Sequence, residues 1–327
     1  MLAMVIKETG GPEVLQAADL PVPTPGPGEI RVRIAYAGVN PADWKNRQGM
    51  LEMYRPYVFP YVIGFDAAGI VDALGEGVTD FNVGDRVLTP TNHGQGGQGS
   101  YAEYALASVD RVAVIPDGLD FKSASALPVA ALTSWQALFV RGQLQPKQKI
   151  LIHGGSGGLG SFAVQFAKNA GADVAATCST PNVDYLVSLG VDRVIDYRAE
   201  DVMSAVSDWA PNGLDFLLDA VGASSLPNAL DLVRSGGTFV SIPTLVDDGD
   251  IPAAVAASAA RGINRIFSTM TDVDCAPQLA IIMEQLVAGN LTLPPITEYA
   301  LDDVASAHRQ LETGHTRGKC VLKVADL

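Results

Sequence analysis

The rhythm of hydrophobic and polar positions changes twice along this chain. Up to about residue 120 it is short and two-periodic. Ile30-Arg31-Val32-Arg33-Ile34-Ala35-Tyr36 alternates apolar and polar side chains, the period of a half-buried strand, and residues 1–7, 69–74 and 85–88 read as further strands. Gly75-Glu76-Gly77 and Asn82-Val83-Gly84-Asp85 punctuate them as turns. The proline-rich stretch 21–28 must be an extended loop, because each proline removes an N–H donor and fixes φ. Many short strands with Gly/Pro turns predict a small barrel or sandwich-like β domain.

From residue 123 to 141 the spacing becomes helical and rich in Ala and Leu. From residue 150 strands and helices alternate. Apolar runs at 150–153, 174–177, 193–196, 216–219, 238–242 and 265–268 predict strands, and helices are expected between them at 182–189 and 224–233. That order predicts a doubly wound parallel sheet. An amphipathic helix at 278–288, a Pro294-Pro295 break and a last strand at 320–324 are expected to return to the first domain.

The first strand of the alternating region runs into Gly154-Gly155-Ser156-Gly157-Gly158-Leu159-Gly160 and then directly into a helical pattern. Gly155, Gly157 and Gly160 fill the fixed positions of G-x-G-x-x-G. The first permits a tight turn, the second lets backbone approach a pyrophosphate, and the third lets helix and strand pack closely. Exposed N–H groups and the dipole at the helix start complete an anion site. The strand before and the helix after supply the context that the motif needs to indicate dinucleotide binding.

Composition narrows the picture. With 327 residues, 48% hydrophobic and 18% charged, the chain has room for two domains and a sizeable core. Its formal charge of −14 argues against nucleic acid or an anionic membrane as a partner. No apolar run approaches the ~18 residues of a membrane span, and residues 1–7 lack the features of a signal peptide. Cys178, Cys275 and Cys320 are far apart, which fits a reducing compartment and argues against a disulfide framework or a cysteine-built zinc site. His93, His153, His308 and His315 show no ligand spacing. His153, entering the glycine loop, is read as structural, and His93 as an exposed loop residue.

Gly11-Pro12-Glu13-Val14-Leu15, Gly38-Val39-Asn40-Pro41-Ala42-Asp43, Ile63-Gly64-Phe65-Asp66-Ala67-Ala68-Gly69, the glycine loop, Asp196-Tyr197 and Gly314-His315-Thr316-Arg317-Gly318-Lys319 follow one another in order. Together they resemble the quinone oxidoreductase (zeta-crystallin-like) branch of the medium-chain dehydrogenase/reductase superfamily, over essentially the whole chain. The resemblance implies an α/β fold: a Rossmann doubly wound parallel sheet plus a GroES-like β-rich catalytic domain. Its expected parts are 1–122 (catalytic domain), 123–265 (NADP-binding domain) and 266–327 (return to the catalytic domain).

Where the zinc-dependent relatives carry a cysteine and a histidine, this chain has Asn40 and the Gly64-Phe65-Asp66 triplet, so neither position supplies the S or N donor that zinc prefers. No metal is expected, and Asp66 is read as structural. Without a Lewis acid, the expected chemistry is hydride transfer from a reduced nicotinamide to an electrophilic quinone or enone, helped by orientation and by hydrogen bonds to the developing oxyanion.

Asn40 is the main catalytic candidate, as an amide able to orient a nicotinamide or a carbonyl. Lys45 stands where some relatives have a tyrosine and is a possible proton source or a solvated lysine. Tyr54 and Tyr61 are alternative donors. By resemblance Thr133, Val221, Gly222, Ile242, Pro243, Phe267 and Ser268 line the cofactor, with Ser156, Gly158 and Leu159 of the glycine loop.

The second strand ends at Thr177-Cys178-Ser179-Thr180-Pro181-Asn182 with no Asp or Glu to hold a ribose 2′-OH, which favours NADPH over NADH. Ser179 and Thr180 are candidate donors to the 2′-phosphate or simple helix caps. Many relatives carry a lysine near position 182 or 183 that is missing here, and Arg193, Arg198 or Tyr197 are candidates for its role. Two other readings stay open: a 2-enone, 2-enal or enoyl-thioester reductase, and a low-turnover NADPH-binding, crystallin-like protein. A cytoplasmic homodimer is expected by resemblance.

Overall fold

A computed structural model of the chain describes all residues except 55, 92–97 and 271–273. Two compact units divide it: Met1–Leu132 with Asp272–Leu327, and Thr133–Thr271. In sequence these units divide at 132/133 and 271/272, beside the divisions expected at 122/123 and 265/266. The helix Phe121–Ser125 packs on the strands Glu29–Val39 and Asp66–Leu74 of the first unit, and Ile266 and Phe267 pair with Val240 and Ser241 of the second.

In the first unit, a mixed seven-stranded sheet is built around the long strand Glu29–Val39. That strand pairs antiparallel with Asp66–Leu74, Tyr104–Ser108 and the C-terminal strand Lys319–Lys323. Its alternation buries Ile30, Val32 and Ile34 while Arg33 stays exposed, as the two-residue period requires. Leu2–Ile6 centres a separate three-stranded sheet. The C-terminal residues do return to this unit.

The second unit is one parallel six-stranded sheet. In sequence its strands are Lys149–His153, Asp173–Cys178, Arg193–Asp196, Leu214–Asp219, Val233–Ser241 and Asn264–Phe267, and in space they lie in the order third, second, first, fourth, fifth, sixth. The order reverses between the first and fourth strands, where doubly wound sheets open a ligand crevice at their carboxyl ends. Ile150, Leu151 and Ile152 are fully buried, which explains why these strands read as continuous apolar runs. The helix Gly158–Asn169 covers one face, with Phe166 edge-on to Trp135 at 5.3 Å and stacked on Phe162 at 6.1 Å. Phe162 and Phe166, both buried, contribute about 1.5–3 kcal/mol each.

One expected element is absent. Residues 224–233 form turns and a single short 3₁₀ segment, Ala229–Leu232, rather than a helix. Pro227 removes a donor, Asn228 takes a left-handed conformation (φ 62°), and Val233 already belongs to a strand.

Candidate functional site: the carboxyl ends of the parallel sheet

The glycine loop runs directly from strand to helix, with its left-handed residue at Gly154 (φ 89°) rather than at Gly155, the glycine expected to permit the tight turn. A Cβ on Gly160 would lie 2.1 Å from the Gly154 carbonyl oxygen, and one on Gly155 would lie 2.8 Å from the Ala176 Cβ. These two glycines are fixed by packing. Gly157 differs: a Cβ there meets nothing closer than 3.7 Å, so the space above it is open. It begins the helix Gly158–Asn169, which has no side-chain cap and no acid in its first turn. The uncapped N–H groups of that turn suit an anion. The loop therefore fits a dinucleotide pyrophosphate.

The other cofactor candidates gather at the same end of the sheet. Val221 and Gly222 follow the fourth strand, and their N–H groups both donate to Asp219 Oδ1, at 2.9 and 3.1 Å. Ile242 and Pro243 follow the fifth strand, with the Ile242 N–H on the Asp219 carbonyl at 2.8 Å. Phe267 closes the sixth strand and Ser268 follows it, buried, its Oγ without a hydrogen-bond partner among the described residues. Thr133 is buried on the helix Pro128–Trp135, and the next residue, Ser134, bonds the Leu159 carbonyl at 2.8 Å.

Ser179 and Thr180 follow the second strand, at the start of the 3₁₀ segment Thr180–Asn182. Neither acts as a helix cap: Ser179 makes no capping bond and instead accepts from Asn182 Nδ2 at 3.2 Å. Tyr197 stands exposed after the third strand. Of the two arginines considered beside it, Arg193 is held by Glu200 and by the Val194 carbonyl, whereas the exposed Arg198, among the described residues, donates only through its backbone N–H, to Asp196.

The sequence reading missed Arg265. Its guanidinium lies 3.5 Å from the Phe239 ring centroid and 4.8 Å from that of Phe267, and it donates to Ser241 Oγ at 2.8 Å. Burial pulls its pKa down to about 10. Asp219, Gly222, Ile242, Ser241 and Phe267 line a small hollow with it. Only the alternation that puts residue 265 on the same face as Phe239 could have signalled this.

The catalytic candidates belong to the first unit. Asn40 is 2% exposed and caps the helix Pro41–Arg47. Its Nδ2 donates to Asp66 Oδ2 at 2.8 Å, and its Oδ1 accepts from Lys319 Nζ at 2.5 Å. Asp66 also accepts from the Val129 N–H at 3.0 Å, so it is a structural acid as expected. Lys45 is almost entirely buried, 5.5 Å from the Trp44 ring, rather than solvated. Tyr54 is 60% exposed in a turn beyond that helix, while Tyr61 is buried and bonded by Asn46.

A second buried chain runs beside them. Arg47 can only donate, so His308 Nδ1 accepts from it at 3.1 Å and Nε2–H donates to Tyr101, also at 3.1 Å. Tyr101 in turn stands close enough to Asp43 to interact with its carboxyl group. Burial and the Arg47 charge hold His308 neutral, with a pKa near 3. Burial, with Asp66 nearby, raises Asp43 to about 7.

The zinc test follows from these contacts. The places that would carry zinc ligands hold an amide, a phenyl ring and a carboxylate already facing the Lys319 ammonium at 3.6 Å. Among the described residues no three His, Cys, Asp or Glu side chains are grouped to hold a metal. The donor set does not fit zinc. His315 is exposed, and His93 lies outside the described residues.

Comparison with known proteins settles the lineage. Residues 26–117 match the alcohol dehydrogenase GroES-like domain, and residues 189–322 match the family described as zinc-binding dehydrogenase. The chain is 31% identical to the pig (Sus scrofa) quinone oxidoreductase over 97% of its length and 95% of that protein. It belongs to the zeta-crystallin-like quinone oxidoreductase branch of the medium-chain dehydrogenases/reductases. Within that family, the quinone oxidoreductase of Coxiella burnetii superposes with a TM-score of 0.89 at 30% identity, covering 99% of both chains. The Escherichia coli quinone oxidoreductase, solved in complex with NADPH, gives 0.89 at 25% identity over 99% of this chain and 100% of its own. The protein is an oxidoreductase with a Rossmann sheet and a GroES-like domain. Among the described residues no helix is long and apolar enough to cross a membrane.

Proposed function

We propose that this oxidoreductase is a zinc-independent, NADPH-dependent reductase of quinones. The observation that carries the reading is the contrast within the glycine loop: Gly155 and Gly160 are wedged against neighbouring atoms, while Gly157 leaves open space above an uncapped helix N-terminus. Names among relatives and solved neighbours point the same way.

Gly155, Ser156, Gly157, Gly158, Leu159 and Gly160 would hold the pyrophosphate. Ser179, Thr180, Tyr197 and the exposed Arg198 would meet the 2′-phosphate, with no acid at the strand end to repel it. Thr133, Val221, Gly222, Ile242, Pro243, Phe267 and Ser268 would enclose the nicotinamide half. NADPH, when bound, supplies the hydride. Asn40 is assigned an orienting role, held rigid by Asp66 and Lys319, and Lys45 and Tyr54 are the proposed donors to an acceptor oxygen.

We also assign a homodimer. The sixth strand, Asn264–Phe267, pairs on one side only among the described residues. The helix Ile251–Ala260 before it is apolar and largely exposed.

The test is oxidation of NADPH and NADH by purified protein with a panel of quinones and enones, EDTA present, followed by loss of reduced-nicotinamide absorbance. EDTA-insensitive turnover of a quinone, faster with NADPH than with NADH, is expected. No turnover with any quinone would sink the reading.

A further inference from the structure

One hydrogen-bond chain crosses the point where the strand order reverses. The Gly154 N–H donates to Thr177 Oγ1 at 2.9 Å, and the same hydroxyl lies 2.8 Å from His153 Nδ1. His153 Nε2 lies 2.9 Å from Ser225 Oγ, which donates to the Gly222 carbonyl at 2.6 Å. The ends fix the polarity, because an amide N–H can only donate and a carbonyl can only accept. Ser225 uses its proton on Gly222, so it accepts from His153 Nε2–H. The bare Nδ1 then accepts the Thr177 proton, and Thr177 accepts from Gly154. Only the neutral Nε2–H tautomer satisfies every member. Burial lowers the His153 pKa, against a smaller opposing pull from Asp219, and so favours this neutral form.

The chain joins two turns on opposite sides of the reversal. The Gly154 turn follows the first strand and opens the glycine loop. The Gly222 turn follows the fourth strand, where Asp219 pairs with His153. The turns also touch: a Cβ on Gly154 would lie 2.7 Å from Val221 Cγ2. His153 and Thr177 are both almost fully buried, so neither finds a replacement partner in water.

We propose that His153 is a positioning residue for dinucleotide binding, clasping the Gly154 and Gly222 turns into one cradle through Thr177 and Ser225. The proposal rests on the reading of the glycine loop as the NADPH site. A glutamine at this position keeps the chain's polarity, because its Oε1 accepts from Thr177 and its Nε2 donates to Ser225. A phenylalanine keeps the ring and loses both bonds, leaving the Thr177 hydroxyl without its acceptor.

The experiment is titration of NADPH into wild type, His153→Gln, His153→Phe and Ser225→Ala by protein fluorescence, with thermal melts of the same proteins and ¹⁵N NMR of the imidazole. Expected are an unprotonated Nδ1 in the wild type, near-wild-type affinity for His153→Gln, and affinity roughly ten- to a hundredfold weaker for His153→Phe. Ser225→Ala weakens binding by a smaller factor while staying folded. Wild-type affinity in both His153→Phe and Ser225→Ala, whatever happens to the melting temperature, would overturn the clasp. Should His153→Phe fail to fold, Ser225→Ala decides alone, and wild-type affinity there overturns the proposal. A wild type that binds no NADPH would remove the reading beneath the proposal, a result distinct from either.

Discussion

Asp43 is a carboxyl group held far from its ordinary state. It is fully buried, its carboxylate accepts the Asn40 N–H at 2.6 Å, and Tyr101, Asp66 and Lys319 face it. Desolvation is the largest cause of its rise from 3.8 to about 7, the Asn40 bond opposes it, and repulsion from Asp66 adds to it. In the folded chain Asp43 therefore keeps its proton up to about pH 7, while in the unfolded chain it loses it near 3.8. Between those values the folded state binds the extra proton, so this group's contribution to stability is full below the lower value and falls as pH rises through the upper one. Urea unfolding of the wild type and Asp43→Asn at several pH values tests this. The wild type should lose stability relative to the variant between about pH 4 and 7, by an amount on the order of a few kcal/mol, and the difference should level off above. A wild-type-minus-variant difference that does not change with pH would refute it.

Among the elements, the glycine loop and its helix separate fold from ligand most cleanly. Gly160→Ala drives a methyl into the Gly154 carbonyl, so it should destabilise the empty protein by about 3 kcal/mol or more. Gly157→Ala has room and an ordinary φ of −74°, so its melting temperature should match the wild type while NADPH affinity falls sharply. Melts and titrations of both variants check the pair, and a Gly157→Ala protein that binds NADPH normally would mean that the open space is not the pyrophosphate site. The loop was legible in the sequence because its signal is local: three glycines, a strand and a helix within twenty residues. The six parallel strands were legible for the same reason, as apolar runs buried on both faces. What escaped was non-local. Lys319 and Asn40 are 279 residues apart and His153 and Ser225 are 72 apart, so no spacing rule connects them. The missing helix at 224–233 shows the opposite failure, where apolar spacing outweighed Pro227 and the left-handed Asn228. Lys45 read as equally at home in water because charge alone does not reveal a buried stem beside Trp44.

For the whole molecule, the proposed dimer carries the furthest consequence. An edge strand with unpaired backbone groups is a template for another strand, and proteins normally blunt it with charge, proline or a covering element. Here Asn264–Phe267 forms the edge, and the preceding helix brings Ile251 and Val255, both more than a third exposed, rather than lysines. A second copy fits this face by symmetry: two identical edges related by a two-fold axis run antiparallel, so each strand meets the other's free N–H and C=O groups and each apolar helix finds an equivalent partner. The pairing would join two six-stranded sheets into one continuous sheet. The formal charge of −14 doubles on association, so apolar contact and backbone pairing must outweigh a repulsion that salt screens. Light scattering on the purified protein should therefore give twice 34.2 kDa, with dissociation favoured by dilution at low salt. Val255→Lys places a charge in the middle of the proposed contact while leaving an exposed position of the isolated unit, and it should give a folded monomer. A wild type that is monomeric at all concentrations, or a Val255→Lys protein that stays dimeric, would move the interface elsewhere.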